Sequence, residues 1–133
     1  MIVLVVDDNP GDRCLVRTMV DSALGGQFEM EEAWNLAHAV KRLEAGGIDI
    51  LLLDLNLPDS RGLATLSTLR AADGNVPIVI VTGSHDQAAV SEALANGAQD
   101  YLVKGEFEMP ILARAILRHT RGAAATGLGV DVE

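Results

Sequence analysis

Four apolar stretches of this 133-residue chain each lead into side chains that can do chemistry. "IVLVV" runs into Asp7 and Asp8, "ILLL" into Asp54, "PIVIV" into Thr82 and "DYLV" into Lys104. A carboxylate at the end of a buried run costs free energy unless a cation or a hydrogen-bond donor pairs with it. The repetition of the pattern predicts that these side chains meet in one place.

The types of these residues point to phosphate chemistry. Three clustered carboxylates repel one another unless a cation lies among them, and a site with a few hard oxygen ligands suits Mg²⁺. Lys104 adds a positive charge of the kind that binds phosphate, and Thr82 adds a hydroxyl donor. Each residue alone could be an ordinary turn acid, surface lysine or strand hydroxyl. Together they supply what phosphoryl transfer to an aspartate requires.

The elements that must position these residues follow from the apolar pattern. Short apolar, β-branched runs predict five strands, the second of them weaker, at 2–6, 28–33, 49–55, 77–82 and 100–104. Between them, apolar residues recur at helical spacing, as in "GLATLSTLR" and "AAVSEALA". Strands that alternate with helices predict an α/β fold, a doubly wound parallel sheet with helices on both faces. In such a sheet, sites form at the carboxyl ends of the strands.

Composition excludes several classes of function. A net charge of −9 leaves no basic face for nucleic acid, and the apolar runs are far shorter than a membrane span. The single cysteine, Cys14, has no partner for an internal disulfide bridge. Together with an N-terminus unlike a secretory signal, it indicates a cytoplasmic protein. The small, glycine-rich residues 122–133 are predicted to be a flexible C-terminal tail or linker.

The motifs "VLVVDDNPGD", "DILLLDLNLPDSRGL", "IVIVTGS" and "GAQDYLVKG" together resemble the receiver domain of two-component response regulators, and are similar to those of the chemotaxis response regulator. The resemblance covers about residues 2–120. It implies a receiver domain at 1–121 with a flavodoxin-like fold and strand order 2-1-3-4-5. It also implies a signalling phosphoacceptor that catalyses only its own phosphorylation and dephosphorylation and is not otherwise an enzyme.

The resemblance implies a role for each residue of the site. Asp54 is the expected phosphoacceptor, and Lys104 is expected to pair with the phosphoryl group. Mg²⁺ is expected to bind Asp8, Asp54 and the backbone carbonyl of Asn56, with Asp7 helping through water.

Further roles concern the switch and the partners. Thr82 and Tyr101 are the expected switch residues, and Asn56 and Ser84 are expected to tune dephosphorylation. The phosphodonor would be a sensor histidine kinase or a histidine phosphotransfer protein. A downstream protein would bind the face formed by the fourth helix, fifth strand and fifth helix. Whether the chain forms a homodimer is left open, and no nucleic acid or membrane partner is expected.

The sequence departs from the family pattern after the lysine. Receiver domains usually have proline there, joined through a cis bond, whereas this chain has Gly105. Because a non-proline cis bond is costly, the loop into the last helix is predicted to take another path. Two alternatives stay open: a receiver-like interaction module that is not phosphorylated, and a phosphatase of the haloacid-dehalogenase type. The phosphatase class needs a second acid two residues after its nucleophile, where this chain has Asn56.

Overall fold

The computed structural model describes residues 1–83, 87–106 and 109–120. The main sheet consists of β1 (Ile2–Val6), β2 (Glu29–Ala33), β3 (Ile50–Leu53), β4 (Ile78–Thr82) and β5 (Asp100–Val103). The helices are α1 (Pro10–Leu24), α2 (Leu36–Glu44), α3 (Leu63–Ala72), α4 (Gln87–Ala95) and α5 (Met109–His119). A short 3₁₀ helix, Gly25–Gln27, follows α1, and the two-residue strands Asn56–Leu57 and Ser60–Arg61 form an antiparallel hairpin between β3 and α3. None of the helices in these ranges is long and apolar enough to cross a membrane.

The main sheet is parallel throughout, with strand order β2-β1-β3-β4-β5. Helices α1 and α5 pack together on one face, and α2 packs against α3 on the other, with α4 beside α3. The predicted doubly wound sheet and its strand order are therefore confirmed. Several strand boundaries differ from the prediction by one or two residues. The difference that bears on the predicted site is that β3 ends at Leu53, so Asp54 follows the last paired residue of the strand.

Two layers of core explain why the central strands are apolar without interruption. Alternate strand residues such as Leu51 and Leu53 pack towards α2 and α3, whereas Ile50 and Leu52 pack towards α1 and α5. Every residue of β3 and β4 is buried, as two covered faces require. The edge strand β2 is mostly half-exposed, which fits its alternating sequence.

The strand register brings four chain segments to one edge of the sheet. Val6 pairs with Leu53 across β1 and β3, and Leu53 pairs with Ile80 in β4. Backbone hydrogen bonds continue beyond the strands: the N–H of Asp54 donates to the Val6 carbonyl at 2.9 Å, and the N–H of Lys104 donates to the Thr82 carbonyl at 2.8 Å. The residues that follow β1, β3 and β5 are therefore held by the sheet itself.

Candidate functional site

The carboxyl edge of the sheet carries an acidic cluster made of Asp7, Asp8 and Asp54. One oxygen from each carboxylate lies within 4.8 Å of the other two. Asp7 and Asp54 are buried, with 3% and 7% of their surface exposed, whereas Asp8 is exposed. The structure thus brings together the three acids that the sequence placed at strand ends.

Lys104 reaches into this cluster from the loop after β5. Its ammonium lies 2.8 Å from Asp7 Oδ2, 2.8 Å from Asp12 Oδ2 and 3.0 Å from Asp54 Oδ2. The lysine side chain is 22% exposed, so these pairs are only partly open to water. The sequence predicted Lys104 at this site but did not predict its contact with Asp12.

The shared ammonium shifts two pKa values. Burial alone would lower the pKa of Lys104, but its hydrogen bonds to Asp12, Asp7 and Asp54 outweigh that effect and raise it above its ordinary value. Burial raises the pKa of Asp7, against the opposing hydrogen bonds from Lys104 and from the backbone of Asn9. The two shifts differ in cause: several acids share the Lys104 ammonium and raise its pKa, whereas burial raises the pKa of Asp7. A second cation beside the buried carboxylates of Asp7 and Asp54 would offset the cost of burying their charges.

The second oxygen of Asp54 is held by two donors. The hydroxyl of Thr82 donates to Asp54 Oδ1 at 2.8 Å, and the backbone N–H of Asn56 donates to the same oxygen at 3.0 Å. Thr82 is fully buried at the end of β4. Both carboxylate oxygens of Asp54 are thus oriented by donors, Oδ2 by Lys104 and Oδ1 by Thr82 and Asn56.

An arginine behind the cluster fixes its backbone. Arg13 donates from Nη1 to the carbonyl of Asp7 at 2.8 Å and from Nε to Glu32 Oε1 at 3.1 Å. Its guanidinium also lies 5.2 Å from the ring centroid of Trp34, within the range of a cation–π interaction. Glu32 is held by Arg17 as well, and its pKa is lowered, first by the Arg17 hydrogen bond. These contacts tie α1 and β2 to the buried acid.

The loop that carries Asn56 is fastened to α2. Asp59 accepts hydrogen bonds from the N–H groups of Leu36 at 2.8 Å and Ala37 at 3.1 Å, and these bonds lower its pKa. Both donors belong to the first turn of α2, where a carboxylate is favoured. The hairpin after Asp54 is thereby held in place, and its Asn56 side chain is exposed to solvent.

Gly105 takes the path that the sequence predicted. No cis peptide bond occurs in the described ranges, and Gly105 has φ of 83°, a left-handed conformation that suits glycine and excludes proline. Lys104 still reaches Asp54. Beside these two residues lies an apolar groove of about 210 Å³, lined by Asp12, Leu15, Val16, Met19, Val81, Lys104 and Gly105.

The other predicted residues lie as follows. Tyr101 is half-buried and packs against the core on the α2–α4 side of the sheet. Its proposed inward movement remains a prediction. Ser84 and the predicted tail at 122–133 lie outside the described residues.

The acidic cluster fits a divalent cation. All of its ligand atoms are carboxylate oxygens, which Mg²⁺ prefers, and two of the three acids are buried around the single ammonium of Lys104. The exposed carboxylate of Asp8 leaves a side open to water, which Mg²⁺ keeps among its ligands. Asp7, Asp8 and Asp54 are the side chains that would hold the ion.

Asp12 and Arg13 were missed by sequence reasoning. Asn9 caps α1, because its side chain accepts from the N–H of Asp12 at 3.0 Å. Because only a short loop joins β1 to α1, the first turn of α1 lies close to the sheet edge, where Asp12 contacts Lys104. The acid in "DNPGD" was the available signal for Asp12, whereas nothing comparable marked Arg13.

Comparison with known proteins adds sequence evidence to this geometry. The family model described as the response regulator receiver domain matches residues 3–116. The chain is 37% identical over 127 residues to the swarming motility regulation protein RssB of Serratia marcescens, covering 93% of this chain and 56% of that protein. It is 31% identical over 103 residues to the chemotaxis protein CheY of Listeria monocytogenes, covering 77% of this chain and 84% of that protein.

A solved structure with the same fold contains a metal. The receiver domain of a sensor histidine kinase from Pseudomonas aeruginosa has a TM-score of 0.76 and 28% identity, covering 89% of this chain and 95% of that one. It is described as having a magnesium ion coordinated in the active-site cleft. The present chain spans about half the length of the Serratia regulator. Sequence, strand order and the acidic edge of the sheet agree, and the chain belongs to the response regulator receiver domain family.

Proposed function

We propose that this chain accepts a phosphoryl group on Asp54 from a phosphohistidine and thereby acts as a switch. The observation that carries the proposal is the environment of that carboxylate. Asp54 is nearly buried, with Lys104 on Oδ2 and Thr82 on Oδ1. A carboxylate nucleophile with a fixed ammonium and a fixed hydroxyl is preorganised for phosphoryl transfer.

The step conserves atoms and charge. An oxygen of Asp54 attacks phosphorus, the P–N bond to the donor imidazole breaks, and its electron pair stays with the imidazole. Charge on the transferring phosphoryl oxygens is offset by the Lys104 ammonium and by the Thr82 O–H. Bound Mg²⁺ would supply further neutralisation at Asp7, Asp8 and Asp54, with the Asn56 carbonyl as a further proposed ligand.

The two alternatives lack support of this kind. Gly105 was the feature that favoured a module without phosphorylation, yet Lys104 contacts Asp54 at 3.0 Å despite it. A phosphatase would need an acid at the position of Asn56, whose side chain is an exposed amide. Signalling by a long-lived phosphoaspartate is the better match, with Asn56 and Ser84 as residues that tune its lifetime.

Partners and location are part of the proposal. The donor would be a sensor histidine kinase or a histidine phosphotransfer protein. A downstream protein would bind the face formed by α4, β5 and α5, to which Thr82 and Tyr101 would relay the change in state. We assign 1–121 to the receiver domain and 122–133 to a linker or tail, and we place the chain in the cytoplasm because Cys14 is a free, exposed thiol. With its net charge of −9, this segment itself is not proposed to bind nucleic acid.

A phosphodonor assay tests the proposal. Wild type and Asp54→Asn are incubated with acetyl phosphate and Mg²⁺, and intact masses are recorded with and without EDTA. Wild type is expected to gain one phosphoryl group only when Mg²⁺ is present. No gain by wild type, or an equal gain by folded Asp54→Asn, would contradict the proposal.

A further inference from the structure

All three N–H donors of the Lys104 ammonium are engaged in hydrogen bonds in this structure. A protonated lysine offers three N–H groups, and three carboxylates surround it: Asp7 and Asp12 at 2.8 Å and Asp54 at 3.0 Å. A phosphoryl oxygen on Asp54 needs one of these donors. At least one of the three hydrogen bonds must therefore break or be shared when the phosphoryl group arrives.

The three acids differ in what else they can bind. Asp7 and Asp54 belong to the acidic cluster that fits Mg²⁺, so a metal ion offers them another positive partner. Asp12 lies outside that cluster and pairs with the ammonium from the first turn of α1. The side chain of Asn9 fixes the backbone of Asp12 by accepting a hydrogen bond from the Asp12 N–H at 3.0 Å. Its hold on Lys104 therefore does not depend on the metal.

We infer that Asp12 is a positioning residue that holds Lys104 on the α1 side of the site and opposes phosphorylation of Asp54. The inference rests on the proposed function, since it concerns how readily the site accepts a phosphoryl group. It gives Asp12 two effects of opposite sign. Its charge adds to the field that attracts Mg²⁺. The same charge competes for the ammonium and repels the phosphoryl group.

Opposite effects separate this role from a purely structural one. Loss of an Asp12 contact that only stabilised α1 would loosen the site and weaken every ligand. Loss of a competing charge should weaken Mg²⁺ and strengthen a phosphoryl mimic. Because Asp12 is partly exposed, with 36% of its side chain accessible, each change is expected to be modest, about threefold to fivefold.

The test uses Asp12→Asn with two matched controls. Asp12→Glu keeps the charge, and Asp21→Asn removes one charge from an exposed position of the same helix. Isothermal titration calorimetry measures the Mg²⁺ Kd of each protein, and then the beryllofluoride Kd at saturating Mg²⁺. Relative to wild type, Asp12→Asn is expected to bind Mg²⁺ about threefold more weakly and beryllofluoride about fivefold more tightly. Both controls are expected to stay within twofold of wild type.

Different binding results would overturn the proposed function and the role of Asp12. If wild type does not bind beryllofluoride in the presence of Mg²⁺, both the proposed function and this inference are overturned. If wild type binds it but Asp12→Asn weakens both ligands, or changes neither, only the role of Asp12 is overturned. Should Asp12→Asn not fold, as judged by circular dichroism, Asp12→Ala serves instead, because it also removes the carboxylate and alanine has the highest helix propensity.

Discussion

Replacing Lys104 with methionine should destabilise the protein in a way that depends on pH. The side chain keeps its approximate length but loses the ammonium that serves two buried carboxylates, whose side chains are 4% exposed in Asp7 and 8% in Asp54. Breaking a fully buried ion pair costs about 3–5 kcal/mol. Because Lys104 is itself 22% exposed, water compensates in part, and we expect a loss of about 2 kcal/mol at pH 7. In a chain of this size, that lowers Tm by about 7 °C.

The pH dependence follows from Asp7. Its folded-state pKa is already raised above the unfolded value, so acidification favours the folded state through this group. Without the Lys104 hydrogen bond that opposes the shift, the pKa of Asp7 rises further. The Lys104→Met protein can then relieve its unpaired charge by taking up a proton. Its deficit relative to wild type should therefore shrink to about 1 kcal/mol at pH 5.

Urea denaturation at pH 7 and pH 5, with and without Mg²⁺, measures these effects. Mg²⁺ should stabilise Lys104→Met more than wild type, because the cation then meets the acids without competition from the ammonium. The control is Lys41→Met, which replaces the only other lysine of the chain, at an exposed position of α2, and should change stability by less than about 0.5 kcal/mol. A Lys104→Met deficit that is equal at both pH values and insensitive to Mg²⁺ would refute the account of the charge balance.

Two further substitutions distinguish the Mg²⁺-binding role of the site from its role in phosphoryl transfer. Asp7→Asn removes a carboxylate whose pKa is raised by burial. It should therefore stabilise the metal-free protein by about 1 kcal/mol and weaken Mg²⁺ binding at least tenfold. Thermal melts and calorimetry check both effects, and a fall in Tm would count against the stated cause of the shift. Thr82→Val removes the hydroxyl that donates to Asp54 Oδ1, and should slow phosphorylation by acetyl phosphate about tenfold while leaving Mg²⁺ affinity within twofold. A parallel loss of Mg²⁺ affinity would show that Thr82 supports the metal site rather than the transfer step.

Much of the fold could be predicted because local pattern and tertiary environment agree. The strands β3 and β4 are apolar without a break, and the structure buries every residue of both between two helical layers. The weaker pattern of β2 matched a half-exposed edge strand. The short hairpin around Pro58 and Asp59 was not predicted, since two-residue strands have no periodicity of their own.

The residues of the site could be predicted from the sequence, but several of their contacts could not. A residue directly after a parallel strand must lie at the sheet edge, which is why Asp7, Asp54 and Lys104 were found together. Asp12 could not be assigned, because its contact depends on how α1 leaves the sheet and on the reach of a lysine 92 positions away. Such long-range pairings are set by tertiary geometry and leave no local trace in the sequence.

Chemical trapping of the modified residue tests the central claim most directly. Wild type is incubated with acetyl phosphate and Mg²⁺, reduced with sodium borohydride, digested and sequenced by mass spectrometry. Reduction of an aspartyl phosphate leaves homoserine at the acceptor position. We predict homoserine at position 54 alone, and its absence when Mg²⁺ is withheld. Homoserine at position 7, 8 or 12, or at no position while the protein remains folded, would contradict the assignment of Asp54 as the phosphoacceptor.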